Sequence, residues 1–212
     1  MNKIYVLDLE TTGLEGYPKD KVLEVGIASL DFESGCIEKC YSQIVHQPLS
    51  DGDKDAWIFS NSTLKAGDIQ YDVDETRNVA RYLRYRFGDK LFTAYNTDFD
   101  FGTFLWSNEW QFSPYLAPDI MVECRDVVPD RSHAGLGRFP SAWNSYRYLC
   151  PSNPLNLSRE RHRALDDAVL ECYILRELIS ASDVVHEHYK RAVLDWKNED
   201  YLRSVGIELG DD

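Results

Sequence analysis

Residues 1–13 read MNKIYVLDLETTG, an apolar stretch with two carboxylates set into it, Asp8 and Glu10. The run from Lys3 to Glu10 has the composition of a buried strand, closed by the turn-like residues Thr12, Gly13 and Leu14. Successive strand residues point to opposite faces, so Ile4, Val6, Asp8 and Glu10 share one side. The two carboxylates therefore project together, about 7 Å apart along the strand. An acidic chain makes such pairs by chance, and Asp51/Asp53, Asp53/Asp55, Asp72/Asp74 and Asp98/Asp100 are others. The first pair differs in its apolar setting, where an ionised carboxylate must find a cation or a proton. A metal site is one remedy; solvation at the end of the strand is the other.

The 212 residues, 43% hydrophobic and 28% charged, suit one globular domain with a full core and exclude a disordered or fibrous chain. No apolar run approaches the roughly 20 residues that span a bilayer, and the first residues lack a signal-like pattern. The expectation is a soluble, cytoplasmic protein with no membrane partner. Cys36, Cys40, Cys124, Cys150 and Cys172 are odd in number and scattered, which reads as reduced thiols; Cys36 and Cys40 have no second pair to complete a zinc site. A net charge of −13 argues against broad neutralisation of phosphates. It leaves room for a nucleic-acid enzyme whose positive charge is supplied by bound divalent cations.

Residues 22–31 (VLEVGIASLD) and 37–46 (IEKCYSQIVH) read as two further strands, which makes the opening a three-strand meander. Val73, Thr76, Val79, Ala80, Leu83 and Phe87 recur at helical spacing, with Gly88 at the C-terminal cap. A fourth strand is expected over 90–95, a helix over 98–108, a fifth strand over 118–128 and a mobile loop over Pro129–Pro140. Helices follow near 141–149, over 163–180 with Ala164, Ala168, Cys172, Leu175 and Ile179 on one stripe, and finally through Val185, Tyr189, Ala192 and Trp196. The pattern is α/β.

Two more segments carry chemistry. In AYNTDFDFGTFL, Asn96 and Asp100 stand four apart where the fourth strand passes into its helix, a place where ligands gather in α/β sheets, and Asp98 reads as the helix N-cap. In RHRALDDAVLECY, His162 stands at a helix start and Asp167 on the flank of its apolar stripe. Each segment alone has an ordinary structural explanation.

In this order, the DLETTG run, the N-x-x-x-D segment and the H-x-x-x-x-D segment resemble the three motifs of the DEDDh, or DnaQ-like, 3′–5′ exonucleases. The resemblance covers nearly the whole chain to about residue 180. It matches Asp8 and Glu10 to the first motif's acids, Asp100 to the second's, and His162 and Asp167 to the third's; His162 sets aside relatives with tyrosine there. It implies an RNase H-like fold, a central five-stranded mixed sheet flanked by helices. The exonuclease domain would span 1–182, with 183–212 a C-terminal helical extension packed on it.

Phosphodiester cleavage needs a deprotonated water in line with phosphorus and a sink for the charge on the leaving oxygen. Two divalent ions about 3.5–4 Å apart meet both needs. Hard ions such as Mg2+ or Mn2+ prefer carboxylate oxygens, which Asp8, Glu10, Asp100 and Asp167 offer, with Asp8 bridging by resemblance. Histidine, whose unperturbed pKa is about 6.5, suits the task of taking the water's proton, which falls to His162. The resemblance also implies substrate contacts: Thr11 and Thr12 at the terminal 3′ hydroxyl, Leu14 against the terminal base, and Asn96 nearby. Thr12 and Gly13 as a plain turn, and Leu14 as a core residue, are the alternatives. Tyr95 departs from relatives, which often carry histidine there.

Arg159, Arg161 and Arg163 beside His162, and Arg131, His133 and Arg138 in the loop, are candidate phosphate contacts, whereas Arg77, Arg81 and Arg84 read as a solvated face. The expected activity is metal-dependent 3′–5′ hydrolysis of single-stranded nucleic acid, DNA favoured, to nucleoside 5′-monophosphates. The alternatives are an exoribonuclease or oligoribonuclease acting on RNA ends, and a proofreading subunit. The expected partners are single-stranded 3′ ends, with a homodimer or a polymerase as further possibilities.

Overall fold

A computed structural model describes residues 2–129 and 139–204; Arg131, His133 and Arg138 lie outside them. The strands are β1 (Lys3–Thr11), β2 (Val22–Asp31), β3 (Ile37–Ile44), β4 (Leu91–Thr93) and β5 (Tyr115–Leu116), in the order β3-β2-β1-β4-β5. The first three form the expected antiparallel meander, while β4 and β5 join in parallel, so the sheet is mixed. Helices α1 (Asp51–Lys54), α2 (Trp57–Asn61) and α3 (Ala66–Ile69) follow β3. Next come α4 (Thr76–Phe87), the π-helix Asp98–Leu105, α5 (Ile120–Cys124), α6 (Ala142–Leu149), α7 (Ala164–Ala181) and α8 (Asp183–Ser204).

Alternation along β1 divides the core in two. Ile4 and Val6 pack with Ala168, Cys172 and Leu175 of α7 on one face of the sheet. Leu7 and Leu9 pack on the other face with Val79, Ala80 and Leu83 of α4 and Phe101, Phe104 and Leu105 of the π-helix. Leu170, Leu175 and Leu178 of α7 are fully buried, each stabilising the fold by about 1.5–3 kcal/mol relative to an exposed position. The stripe expected in α8 reaches the same core, Val185 and Tyr189 buried in it and Ala192 and Trp196 packed against it, and Val193 is buried there too. No helix of the described residues is long and apolar enough to cross a membrane.

Gly26 sets the position of α7. A Cβ there would lie 2.1 Å from the carbonyl carbon of Ala164 and 2.2 Å from the backbone nitrogen of Leu165. Only a glycine lets the first turn of α7 rest directly on β2, and in the register of the sheet Gly26 is opposite Asp8.

Several expectations fail for identifiable reasons. The segment expected as a strand over 118–128 contains α5, and the fifth strand is the two-residue β5 that precedes it. Asp119 Oδ1 accepts from Val122 N–H at 3.0 Å, and this cap starts a helix where the apolar run alone suggested a strand. Val73 is 59% exposed and lies before α4 rather than on its buried stripe. Asp98 is the first residue of the π-helix, not its cap; Thr97 is the cap, and that helix ends at Leu105 rather than 108.

Candidate active site

Three elements meet where β1 ends. The register sets Asp8 opposite Gly26 and Glu10 opposite Glu24, and a bulge between Glu10 and Thr11 ends regular pairing. With α7 resting on Gly26, Asp167 in its first turn comes down beside the β1 acids. Carboxylate oxygens of Asp8, Glu10 and Asp167 lie within 4.8 Å of one another, as do ligand atoms of Glu160, His162 and Asp167. Asp167 belongs to both groups and links the acids to the histidine.

Asp100 is in neither group. It is buried on the π-helix, its carboxyl accepts the backbone N–H of Leu9, and its charge acts on Asp8. The turn carrying it is fixed by Asp119, whose Oδ2 accepts from Thr97 N–H at 2.6 Å and from the Thr97 hydroxyl at 2.8 Å. Asn96 holds the same turn from inside: its backbone carbonyl accepts from Phe99 and Asp100, and its Oδ1 accepts from Phe99 N–H at 3.3 Å. Tyr95 turns into the core, where its hydroxyl donates to the Pro140 carbonyl at 2.6 Å and pairs with Ser145 Oγ.

So many acids in one place give up their protons reluctantly. Burial, then Asp167, Glu24 and Glu160, push Glu10 up to about 9. Burial and then Glu160 push Asp167 up to about 7. Asp8 is held well above the usual carboxylate range by burial and then by Glu171, Glu10, Asp167 and Asp100. A donor set of crowded hard oxygens that cannot all ionise together is compatible with a divalent cation, whose charge would let them ionise.

Glu24 shows the opposite treatment. It is 1% exposed, and Arg163 makes a fork to it, Nε to Oε2 at 2.8 Å and Nη2 to Oε1 at 2.7 Å. Glu24 Oε2 also accepts from Ala164 N–H at 3.2 Å, so it caps α7 from a neighbouring strand. Asp167 Oδ2 accepts from Arg163 N–H at 3.1 Å. These bonds clamp the segment that carries His162, whose φ of +51° is a left-handed conformation costing about 1–3 kcal/mol. The His162 ring meets Trp57 edge-on at 4.9 Å.

Beside the acids, a pocket of about 370 Å³ is lined by Leu9, Glu10, Thr11 to Leu14, Trp57, Ile58 and Phe99. Leu14 is 78% exposed, which rules out the core alternative, while Phe101 is fully buried. The Thr11 hydroxyl donates to the Gly13 carbonyl and Thr12 Oγ1 accepts from Lys21 N–H, so both side chains serve the turn. Of the flanking arginines, Arg163 is committed to Glu24 and Arg161 to Asp166; both line a second, polar pocket of about 640 Å³ with Arg159. Arg77 pairs with Glu109, and Arg84 donates to the Trp110 carbonyl, consistent with structural and solvated roles.

Glu24, Glu160, Glu171 and Trp57 escaped the sequence reading. Glu24 gave the same signal as Asp8, an acid inside an apolar strand. Glu171 gave it in helical form, four residues after Asp167 within the buried run VLEC. Nothing in the sequence around Trp57 pointed to His162.

A family model described as RNase_T, exonuclease, matches residues 5–175. Among solved structures, the nuclease domain of 3′hExo, a DEDDh family member bound to rAMP, superposes with a TM-score of 0.53 at 14% identity, covering 85% of this chain and 93% of that one. The 3′-exonuclease of a structure on 3′-end recognition of histone mRNA stem-loop gives 0.54 at 14% identity, covering 85% and 83%. Cell-death related nuclease 4 (CRN-4) gives 0.52 at 14% identity, covering 86% and 65%. No curated protein matches the chain.

Proposed function

The chain belongs to the RNase_T family of exonucleases, and from that premise we propose that it removes nucleoside 5′-monophosphates from the 3′ end of single-stranded nucleic acid. The observation that carries this reading is the meeting of Asp8, Glu10 and Asp167 within 4.8 Å, with Asp167 also grouped with His162 and Glu10 also lining a pocket large enough for one nucleoside.

In this reading Asp8, Glu10 and Asp167 hold two divalent ions, with Asp100 completing the set from the π-helix. Bound ions supply Lewis acidity at the scissile phosphate and lower the cost of deprotonating water. His162 takes the proton of the attacking water, held in place by the Arg163–Glu24 clamp that follows it. The backbone at Thr11 and Thr12 receives the terminal 3′ hydroxyl, since their hydroxyls are committed to the turn. Leu14, Phe99 and Trp57 offer apolar surface to the terminal base, and Arg159 is placed to meet a phosphate.

The expected preference for DNA rests on no contact in the site. RNA is the second reading, favoured by the rAMP and the histone mRNA stem-loop named for two structural neighbours. Matched 3′-labelled and 5′-labelled single strands, DNA and RNA side by side with Mg2+, Mn2+ or chelator, test both. Stepwise loss from the 3′ end that stops in chelator is the expected result, and the faster strand names the sugar. Loss from the 5′ end, or cleavage undiminished by chelator, would overturn the reading.

A further inference from the structure

Glu171 is 3% exposed and lies one helical turn beyond Asp167 on α7. One backbone N–H, that of Tyr95, reaches its carboxyl. Its Oε2 is buried and has no hydrogen-bond partner among the described residues. The neighbouring buried acid, Glu24, shows how this fold neutralises a carboxylate it uses as scaffold: a forked arginine and a helix N-terminus. Glu171 has neither. The charges that act on it come from Asp100, Asp167 and Glu160, and it acts on Asp8 more strongly than Glu10, Asp167 or Asp100 does. A buried, half-satisfied carboxyl among acids, with no cationic side chain paired to it among the described residues, is costly to keep unless it serves the site.

Resting on the reading of Asp8, Glu10, Asp100 and Asp167 as metal ligands, we propose that Glu171 is a fifth acid of the metal centre. It sets one unpartnered acceptor oxygen one helical turn beyond Asp167 and acts on Asp8, and so strengthens the hold of the site on divalent ions. It touches no substrate and is a positioning residue. Asp8 is the side chain through which it acts. Carboxylates that support metal ligands in this way commonly change affinity by about 10–100-fold when removed.

The test measures Mn2+ binding by titration calorimetry, and thermal unfolding in chelator, for the full chain and for Glu171→Gln. The amide keeps the shape and removes the charge. Expected is Mn2+ affinity weakened by about 10–100-fold, with unfolding in chelator at the same temperature or higher. Glu171→Met, of similar volume, makes the same comparison where the amide is not accommodated. Wild-type affinity in the folded variants would overturn the role of Glu171 and leave the metal centre standing. A wild-type chain that binds no Mn2+ would overturn both. Failure of both variants to fold in chelator would assign Glu171 to the scaffold and overturn the proposal.

Discussion

Leu7 and Leu9 leave β1 on one face of the sheet, and Asp8 and Glu10 leave it on the other. The first face is dry and aromatic: Phe92 meets Phe112 edge-on at 5.5 Å and Phe101 at 6.0 Å, with Leu83 of α4 packed in the same cluster. The second face starts the same way, with Ile4 and Val6 against α7, and then changes to carboxylates where the strand ends. In the proposed reading, one nine-residue strand supplies core alone from one side and both core and chemistry from the other. The two sides therefore respond to substitution separately.

The largest effect expected is at the acids. Asp8→Asn or Asp167→Asn should lower exonuclease activity by several orders of magnitude while the folded structure survives, because each removes charge from a cluster that repels itself. Full activity in either variant, measured on end-labelled strands, breaks the assignment. His162→Ala should slow the chemical step by about 10²–10⁴-fold and leave Mn2+ binding intact; an unchanged single-turnover rate makes His162 a bystander.

On the opposite face, Leu83→Ala should cost about 2–5 kcal/mol in denaturant unfolding and leave the activity of the folded fraction unchanged. Loss of activity without loss of stability would erase the division between the faces.

The last expected effect is with pH. Glu10 at about 9 and Asp167 at about 7 keep protons in the folded, metal-free protein that the unfolded chain gives up above their ordinary values of 4.5 and 3.8. Between those limits the folded state binds more protons, so the contribution of these two groups to stability is fullest below about pH 4 and is lost as the pH rises through 7 towards 9. Mn2+ binding displaces the same protons and should flatten the decline. Thermal unfolding from pH 5 to 9 with and without Mn2+ checks the sign; a metal-free protein that gains stability over that range contradicts it.

The contrast also explains what the sequence disclosed. β1 and β2 were legible as apolar runs of strand length bounded by turn residues, and α7 because its apolar stripe recurs at helical spacing. β5 was not, because two residues carry no period, and α1 to α3 have at most five residues each. Asp8 and Glu10 stood out as charges in an apolar strand. Gly26 was equally visible, but its meaning depends on α7 lying on it, a contact more than a hundred residues away in the chain. Glu171 hid inside a helical stripe otherwise apolar, and the left-handed turn at His162 left no trace in the residue type.

The most direct test of the central claim is diffraction from crystals grown with Mn2+, with anomalous differences locating the ions. The account predicts peaks among the carboxylates of Asp8, Glu10 and Asp167. Ordered Mn2+ elsewhere, with none among those carboxylates, would contradict it.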